Sequence, residues 1–168
     1  MLMKVNIALL TVTDTRTIDN DKSGGILVEK FKEANHNLID RKICKDNKDE
    51  IVIILRDWLK NEKIDVIITT GGTGLTGRDI TPEALDEIAE KYIPGFGEIF
   101  RNLSLKTVGT SAIQSRACAV LANGKYIFAL PGSSGGVTDA WEGILKFQLD
   151  INHKPCNFVE LFPRLKEK

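Results

Sequence analysis

A chain of 168 residues, 42% of them apolar, has the material for one sizeable core, and its composition excludes a disordered, collagen-like or coiled-coil protein. Lysine plus arginine equals aspartate plus glutamate at 23 each, so no net surface field draws in nucleic acid or an anionic membrane, and a strongly anionic ligand has to be held locally. The three cysteines, Cys44, Cys118 and Cys156, are scattered and lack C-x-x-C spacing, which excludes a disulfide framework or zinc site and fits a reducing, cytoplasmic compartment.

The opening MLMKVNIALLTVT has no cleavage pattern and no long apolar run, so it is expected to form a first strand rather than a leader or membrane anchor. That strand covers Val5 to Val12, largely apolar as for burial on both faces, and delivers Thr13 and Asp14 at its end. Ser23-Gly24-Gly25 opens a helix with Leu27, Phe31 and Ala34 on one side. A second strand from Leu38 to Cys44 precedes the i, i+3, i+4, i+7, i+8 stripe of Ile51, Ile54, Leu55, Trp58 and Leu59, an amphipathic helix. Asp65 to Thr70 is a third, β-branched strand leading into a glycine loop. Thr81 then suits an N-cap, with Pro82 at the first helical position and Glu83 at the positive end of the dipole; the helix runs on through Leu85, Ile88 and Ala89.

Residues 94–115 mix short helical patterns with turns. Asn123-Gly124 between two apolar runs predicts a hairpin, hence one antiparallel pair in an otherwise parallel sheet. A last helix carries Val137, Ala140, Trp141, Ile144 and Leu145, and the tail from about 152 to 168, with Pro155 and Pro163 and no helical period, is expected to be an extended arm. The alternation predicts a single three-layer α/β/α domain over residues 1–168 with its ligand crevice at the carboxyl ends of the strands.

Three strands end there in Thr13-Asp14, Thr69-Thr70-Gly71-Gly72 and Pro131-Gly132-Ser133-Ser134, a convergence of glycine and hydroxyl residues that suits an anion. The loop TTGGTGLTGRD contains G-x-G-x-x-G at Gly72, Gly74 and Gly77, but Pro82 places the helix start too late for a dinucleotide fingerprint. From Gly72 to Asp79 it reads G-x-x-x-x-G-R-D, a P-loop spacing without the lysine and the magnesium-binding hydroxyl. Arg78 could neutralise phosphate charge instead, and Asp79 could hold a divalent metal with Asp46, just past the second strand, or with Asp14. A lone loop aspartate is ordinarily a turn former. His36 in a polar loop and His153 in the tail are poorly placed as bases, so Ser104, Ser111 and Ser115 have no triad and suit hydrogen bonding to phosphate.

Taken in order, ITTGGTGLTGRDITPEAL, PGFGEIFRNLS, GTSAIQSRA, FALPGSSGGVTDAWEGIL and KPCNF resemble the MoaB/MogA family of molybdenum cofactor biosynthesis, whose domain also occurs in gephyrin. The resemblance spans essentially the whole chain, and its length and KPCNF tail favour the MoaB branch. It implies a molybdopterin-binding fold and an adenylyltransferase that uses MgATP and molybdopterin to give adenylyl-molybdopterin and pyrophosphate. It also implies a homotrimer, or a hexamer built as a dimer of trimers, and contact with a molybdenum insertase. By the same resemblance, Asp46 and Asp79 match the two acidic positions needed for transfer and bind Mg2+ and the ATP phosphates. Gly71, Gly72, Thr73 and Gly74 cradle phosphate, Arg78 supplies charge, and Thr13, Asp14, Ser104, Ser115, Pro131, Gly132 and Ser133 line the pterin and nucleotide pocket. The LPGSSGG here replaces the LPGNP or LPGQP of other branches. A noncatalytic pterin-binding or scaffold protein is the competing expectation; it would not need both carboxylates.

Overall fold

The computed structural model describes residues 3–167. The sheet has six strands in the order β2-β1-β3-β6-β5-β4. Its strands are β1 (Asn6–Val12), β2 (Asn37–Cys44), β3 (Val66–Thr70), β4 (Lys91–Tyr92), β5 (Cys118–Ala122) and β6 (Lys125–Leu130). Strands β2, β1, β3 and β6 are mutually parallel, whereas β5 runs antiparallel to β6 through the Asn123-Gly124 turn, where both residues have positive φ. Strand β4, only two residues long, adds a second antiparallel pair that hydropathy alone does not reveal.

Alternation along the strands explains the three layers. Ile7, Leu9, Val66, Ile68, Tyr126 and Phe128 face one way and pack with α1 (Lys22–Glu33), α4 (Pro94–Val108) and α5 (Ser134–Ala140). Ala8, Leu10, Ile67, Ile127 and Ala129 face the other way, against α2 (Lys48–Lys60) and α3 (Thr81–Asp86). The three-layer α/β/α architecture expected from the sequence is thus present, with both faces of the central strands dry. Helix α5 continues through a π-helical turn, Trp141–Leu145, into α6 (Lys146–Gln148), and Trp141 is buried beside Phe31.

Several local expectations are corrected. Helix α1 starts at Lys22 and is capped by Asp21, not opened by Ser23. Thr81 is the first residue of α3 rather than its cap, because its hydroxyl donates to the Gly71 carbonyl at 2.8 Å; the helix ends at Asp86, before Ile88 and Ala89. Residues 94–114 resolve into the fifteen-residue α4 followed by a 3-10 turn, Gly109–Gln114. The tail is not extended throughout: Val159–Arg164 forms a 3-10 turn that sets Phe158 and Phe162 against Tyr126. Burial of those rings supplies what helical periodicity does not; residue 168 lies outside the described residues.

Asp21 ties this frame together. Its carboxylate caps Gly24 N at 3.0 Å, accepts from Thr11 Oγ1 on β1 at 2.6 Å and pairs with Arg41 Nη2 on β2 at 3.1 Å. Burial pushes its pKa up, but the hydrogen bonds from Thr11, Gly24 and Arg41 outweigh that and hold it below the usual carboxylate value of 3.8. The stabilisation is therefore present above that value and lost as pH falls through the lower, folded one. Asp21→Ala is expected to cost about 3 kcal/mol at neutral pH. Thermal melts of wild type and Asp21→Ala should converge as pH drops toward and below the carboxylate range; a gap that does not narrow in acid would remove the charge from this account.

Candidate anion and metal site

Parallel strands in register bring their carboxyl ends to one edge. Leu10 pairs with Thr69 and Thr11 with Thr70, while Thr70 pairs with Leu130, so the loops after β1, β3 and β6 start side by side. Gly71, at φ +101°, donates its amide to the Leu130 carbonyl at 3.0 Å and lies against the Val12 carbonyl, where any Cβ would collide with backbone. Thr70 Oγ1 donates to the Pro131 carbonyl at 2.8 Å. The result is a cavity of about 480 Å³ at this edge.

Eleven residues nominated by the sequence line it: Thr13, Asp46, Gly71, Gly72, Thr73, Gly74, Asp79, Ser115, Pro131, Gly132 and Ser133. Three do not. Asp14 accepts the Asp46 amide on Oδ1 at 3.1 Å and pairs with Arg78 through Oδ2, so these two side chains engage each other outside the cavity lining. Ser104 is buried on α4 and lines an adjoining cavity of about 420 Å³ with Phe100, Thr107 and Asp139, which shares Ser115, Pro131 and Ser133 with the first.

Arg116, which lies in GTSAIQSRA but was given no role from the sequence, controls the glycine loop. Its amide donates to the Thr73 carbonyl at 2.9 Å, Nε to the Gly74 carbonyl at 2.7 Å and Nη2 to the Asp79 carbonyl at 2.9 Å, while Nη1 pairs with Glu83. The Gly72 carbonyl meanwhile accepts from Thr81 N at 3.0 Å. In a trans peptide the carbonyl of one residue and the amide of the next point opposite ways. Anchoring the carbonyls of Gly72 and Thr73 on α3 and Arg116 therefore aims the amides of Thr73 and Gly74 away from that scaffold: the Gly74 amide is directed at the Asp79 carboxylate, and the Thr73 amide meets no protein acceptor among the described residues. The free Thr73 amide, at a glycine turn that lines the cavity, suits an anionic oxygen.

The carboxylates are prepared differently. Asp79 accepts Thr76 N at 2.9 Å and Thr76 Oγ1 at 2.7 Å, both on Oδ2. Burial raises its pKa, yet the bonds from Thr76 and Gly74 and the charge of Arg116 bring the net value below 3.8. Gly74 makes room for this carboxylate, since a Cβ there would approach Asp79 Oδ2 to 2.8 Å. Asp46 moves the opposite way, pushed up by burial first and then by the negative charge of Asp79. Two carboxylates that repel across one crevice suit a shared cation. Among the described residues no group of three or more His, Cys, Asp and Glu side chains could hold a metal, so a cation at Asp46 and Asp79 would complete its shell with phosphate oxygen and water, as magnesium does.

Comparison with known proteins places the chain in a family. A family profile described as probable molybdopterin binding domain matches residues 8–150. The chain belongs to this family, on its MoaB branch. Molybdenum cofactor biosynthesis protein B of Escherichia coli strain K12 is 44% identical over 161 residues, covering 96% of this chain and 93% of that protein. The protein of the same name from Staphylococcus aureus strain MRSA252 is 46% identical over 149 residues, covering 87% and 88%. A crystal structure of a molybdenum cofactor biosynthesis protein B superposes with a TM-score of 0.88 at 36% identity, covering 99% of this chain and 98% of that one. The tungsten cofactor synthesizing protein MoaB from Pyrococcus furiosus gives a TM-score of 0.76 at 34% identity, covering 84% and 91%.

Arg116→Gln removes the anchor of the loop while leaving both aspartates in place. Hydrogen exchange at the amides of Thr76, Asp79 and Thr81, which are hydrogen-bonded within this loop, is expected to rise by about tenfold, the kinetic image of losing roughly 1.5 kcal/mol of charge-assisted hydrogen bonding. Unchanged exchange there would show that the loop holds its shape without Arg116.

Proposed function

We propose that the protein acts in molybdenum cofactor biosynthesis as a molybdopterin adenylyltransferase, using MgATP and releasing pyrophosphate. The observation that supports this best is the meeting of Asp46, Asp79 and the glycine loop, with its free Thr73 amide, in one cavity. A protein that only binds the pterin has no use for two repelling carboxylates beside a phosphate cradle.

In the assigned reaction an oxygen of the pterin phosphate bonds to the α-phosphorus of ATP. The bond from that phosphorus to the oxygen bridging to the β-phosphate breaks, and pyrophosphate leaves with the electron pair. The nucleophile is already anionic, so no protein base is required, and no histidine lines the cavity among the described residues. Catalysis is then positioning and charge neutralisation. The amide of Thr73 and the hydroxyls of Ser115 and Ser133 orient phosphate oxygens, the Gly74 amide steadies the Asp79 carboxylate, and Asp46 and Asp79 would hold the magnesium. That ion supplies neutralisation of the phosphate charge.

Pyrophosphate release from purified protein with MgATP and molybdopterin tests the assignment. Asp79→Asn and Asp46→Asn should each reduce turnover by at least about 100-fold while leaving pterin affinity within a few-fold. Tight pterin binding with no turnover in wild type would make this a binding protein instead.

We also propose that the chain self-associates through the end of α4. Leu105 and Val108 are about half exposed, Ile113 on the following 3-10 turn is 83% exposed, and Leu105 and Ile113 line one groove with Ala112. Such apolar side chains are ordinarily covered. Sedimentation should give a trimer or hexamer, and Ile113→Asp should shift it toward monomer; a monomeric wild type would exclude the interface.

A further inference from the structure

The cavity is electrically lopsided. Asp46 and Asp79 stand on loops that lead into α2 and α3, on one face of the sheet. Arg16 and Ser133 stand on loops that lead into α1 and α5, on the other face. Among the described residues, Arg16 supplies the only cationic side chain in the cavity lining. Arg78 is engaged by Asp14 and Arg116 by Glu83, and neither lines the space.

The Arg16 guanidinium is itself lightly held. Nη1 donates to Ser23 Oγ at 3.3 Å and to the Gly132 carbonyl at 3.4 Å, both long and both to neutral acceptors. No carboxylate lies within ion-pair distance of it among the described residues, although the chain carries 23 aspartates and glutamates. A guanidinium has five donors in a fixed fork, so the Nε and Nη2 edge stays free while the Nη1 contacts steady the side chain over the crevice. An arginine kept from carboxylates at the rim of a phosphate-shaped cavity matches a phosphate monoester, whose oxygens accept two parallel N–H bonds.

We infer that Arg16 binds the phosphate monoester of the pterin substrate, on the face of the sheet opposite the acidic pair. This rests on the adenylyl-transfer assignment for the identity of the two substrates. The division is electrostatically sensible: the nucleotide phosphates go with their cation to the carboxylates, and the metal-free monoester goes to the guanidinium. Arg16 therefore presents the attacking oxygen and separates two anionic substrates that would otherwise repel. Too tight a grip on that oxygen would weaken it as a nucleophile, which suits a side chain supported by neutral groups.

The test is equilibrium binding, which needs no turnover. Titration calorimetry would compare wild type, Arg16→Gln and Arg16→Lys with molybdopterin, with its dephosphorylated pterin and with MgATP. Arg16→Gln should weaken molybdopterin by about 10- to 100-fold, with partial recovery in Arg16→Lys, as for loss and partial restoration of a charge-assisted contact. The dephosphorylated pterin and MgATP should bind each protein within about twofold, a selectivity that a merely structural role of an exposed side chain would not produce. Loss of MgATP affinity with molybdopterin unchanged would move Arg16 to the triphosphate and overturn the inference. Equal loss for the phosphorylated and dephosphorylated pterins, or no loss for either, would overturn it as well. Wild type that binds molybdopterin through Arg16 yet releases no pyrophosphate would defeat the adenylyl-transfer assignment and leave this one standing.

Discussion

The approach of the Gly71 backbone to the Val12 carbonyl is the constraint on which the crevice depends. Only a residue without Cβ can sit there, and its amide is fixed by Leu130 while its carbonyl accepts from Thr81. Three strands and the start of α3 are thereby locked at one point. Everything nearby inherits its position: the glycine turn that follows, the Asp79 carboxylate folded back on Thr76, and the Pro131-Gly132 segment touching Gly71 from the β6 side. A parallel sheet offers such an edge because its strands finish together, and the chain fills it with small residues that bring the backbone close to the cavity.

Charge is arranged with equal economy. The chain is neutral overall, yet each arginine near the crevice has a different employment: Arg78 faces Asp14, Arg116 braces the loop against Glu83, and Arg16 is left without an acid. Asp79 is held ionised by its hydrogen bonds, and its charge in turn raises the neighbouring Asp46. On the proposed function, a cation arriving with the nucleotide would relieve the repulsion of this pair, coupling metal entry to nucleotide entry without a preformed cage.

Much of this was legible in the residues. The stripe from Ile51 to Leu59, the β-branched run before Gly71 and the Asn123-Gly124 turn carry their structure locally, and all three elements lie where those patterns put them. Grouping of the strand ends also followed, since parallel topology dictates it. Arg116 was hidden because its partners lie 37 and 42 residues away on the glycine loop, and no local pattern marks such a contact. Arg78 illustrates the converse: its place in G-R-D suggested phosphate, but the backbone turns it toward Asp14. The turn at Val159–Arg164 escaped notice because its stability comes from Phe158 and Phe162 packing on Tyr126, a tertiary effect that overrides poor local propensity around Pro163.

The two borders of the sheet have a consequence for how this molecule can meet others. At one side β4 offers just two residues of open backbone, and at the other β2 carries Asp40, Arg41 and Lys42, with Arg41 reaching back to Asp21. Neither border is a template on which a foreign strand could zip. Growth by strand addition, the route to fibres, is thereby disfavoured at both ends, which leaves the helical surface as the better ground for contact between copies.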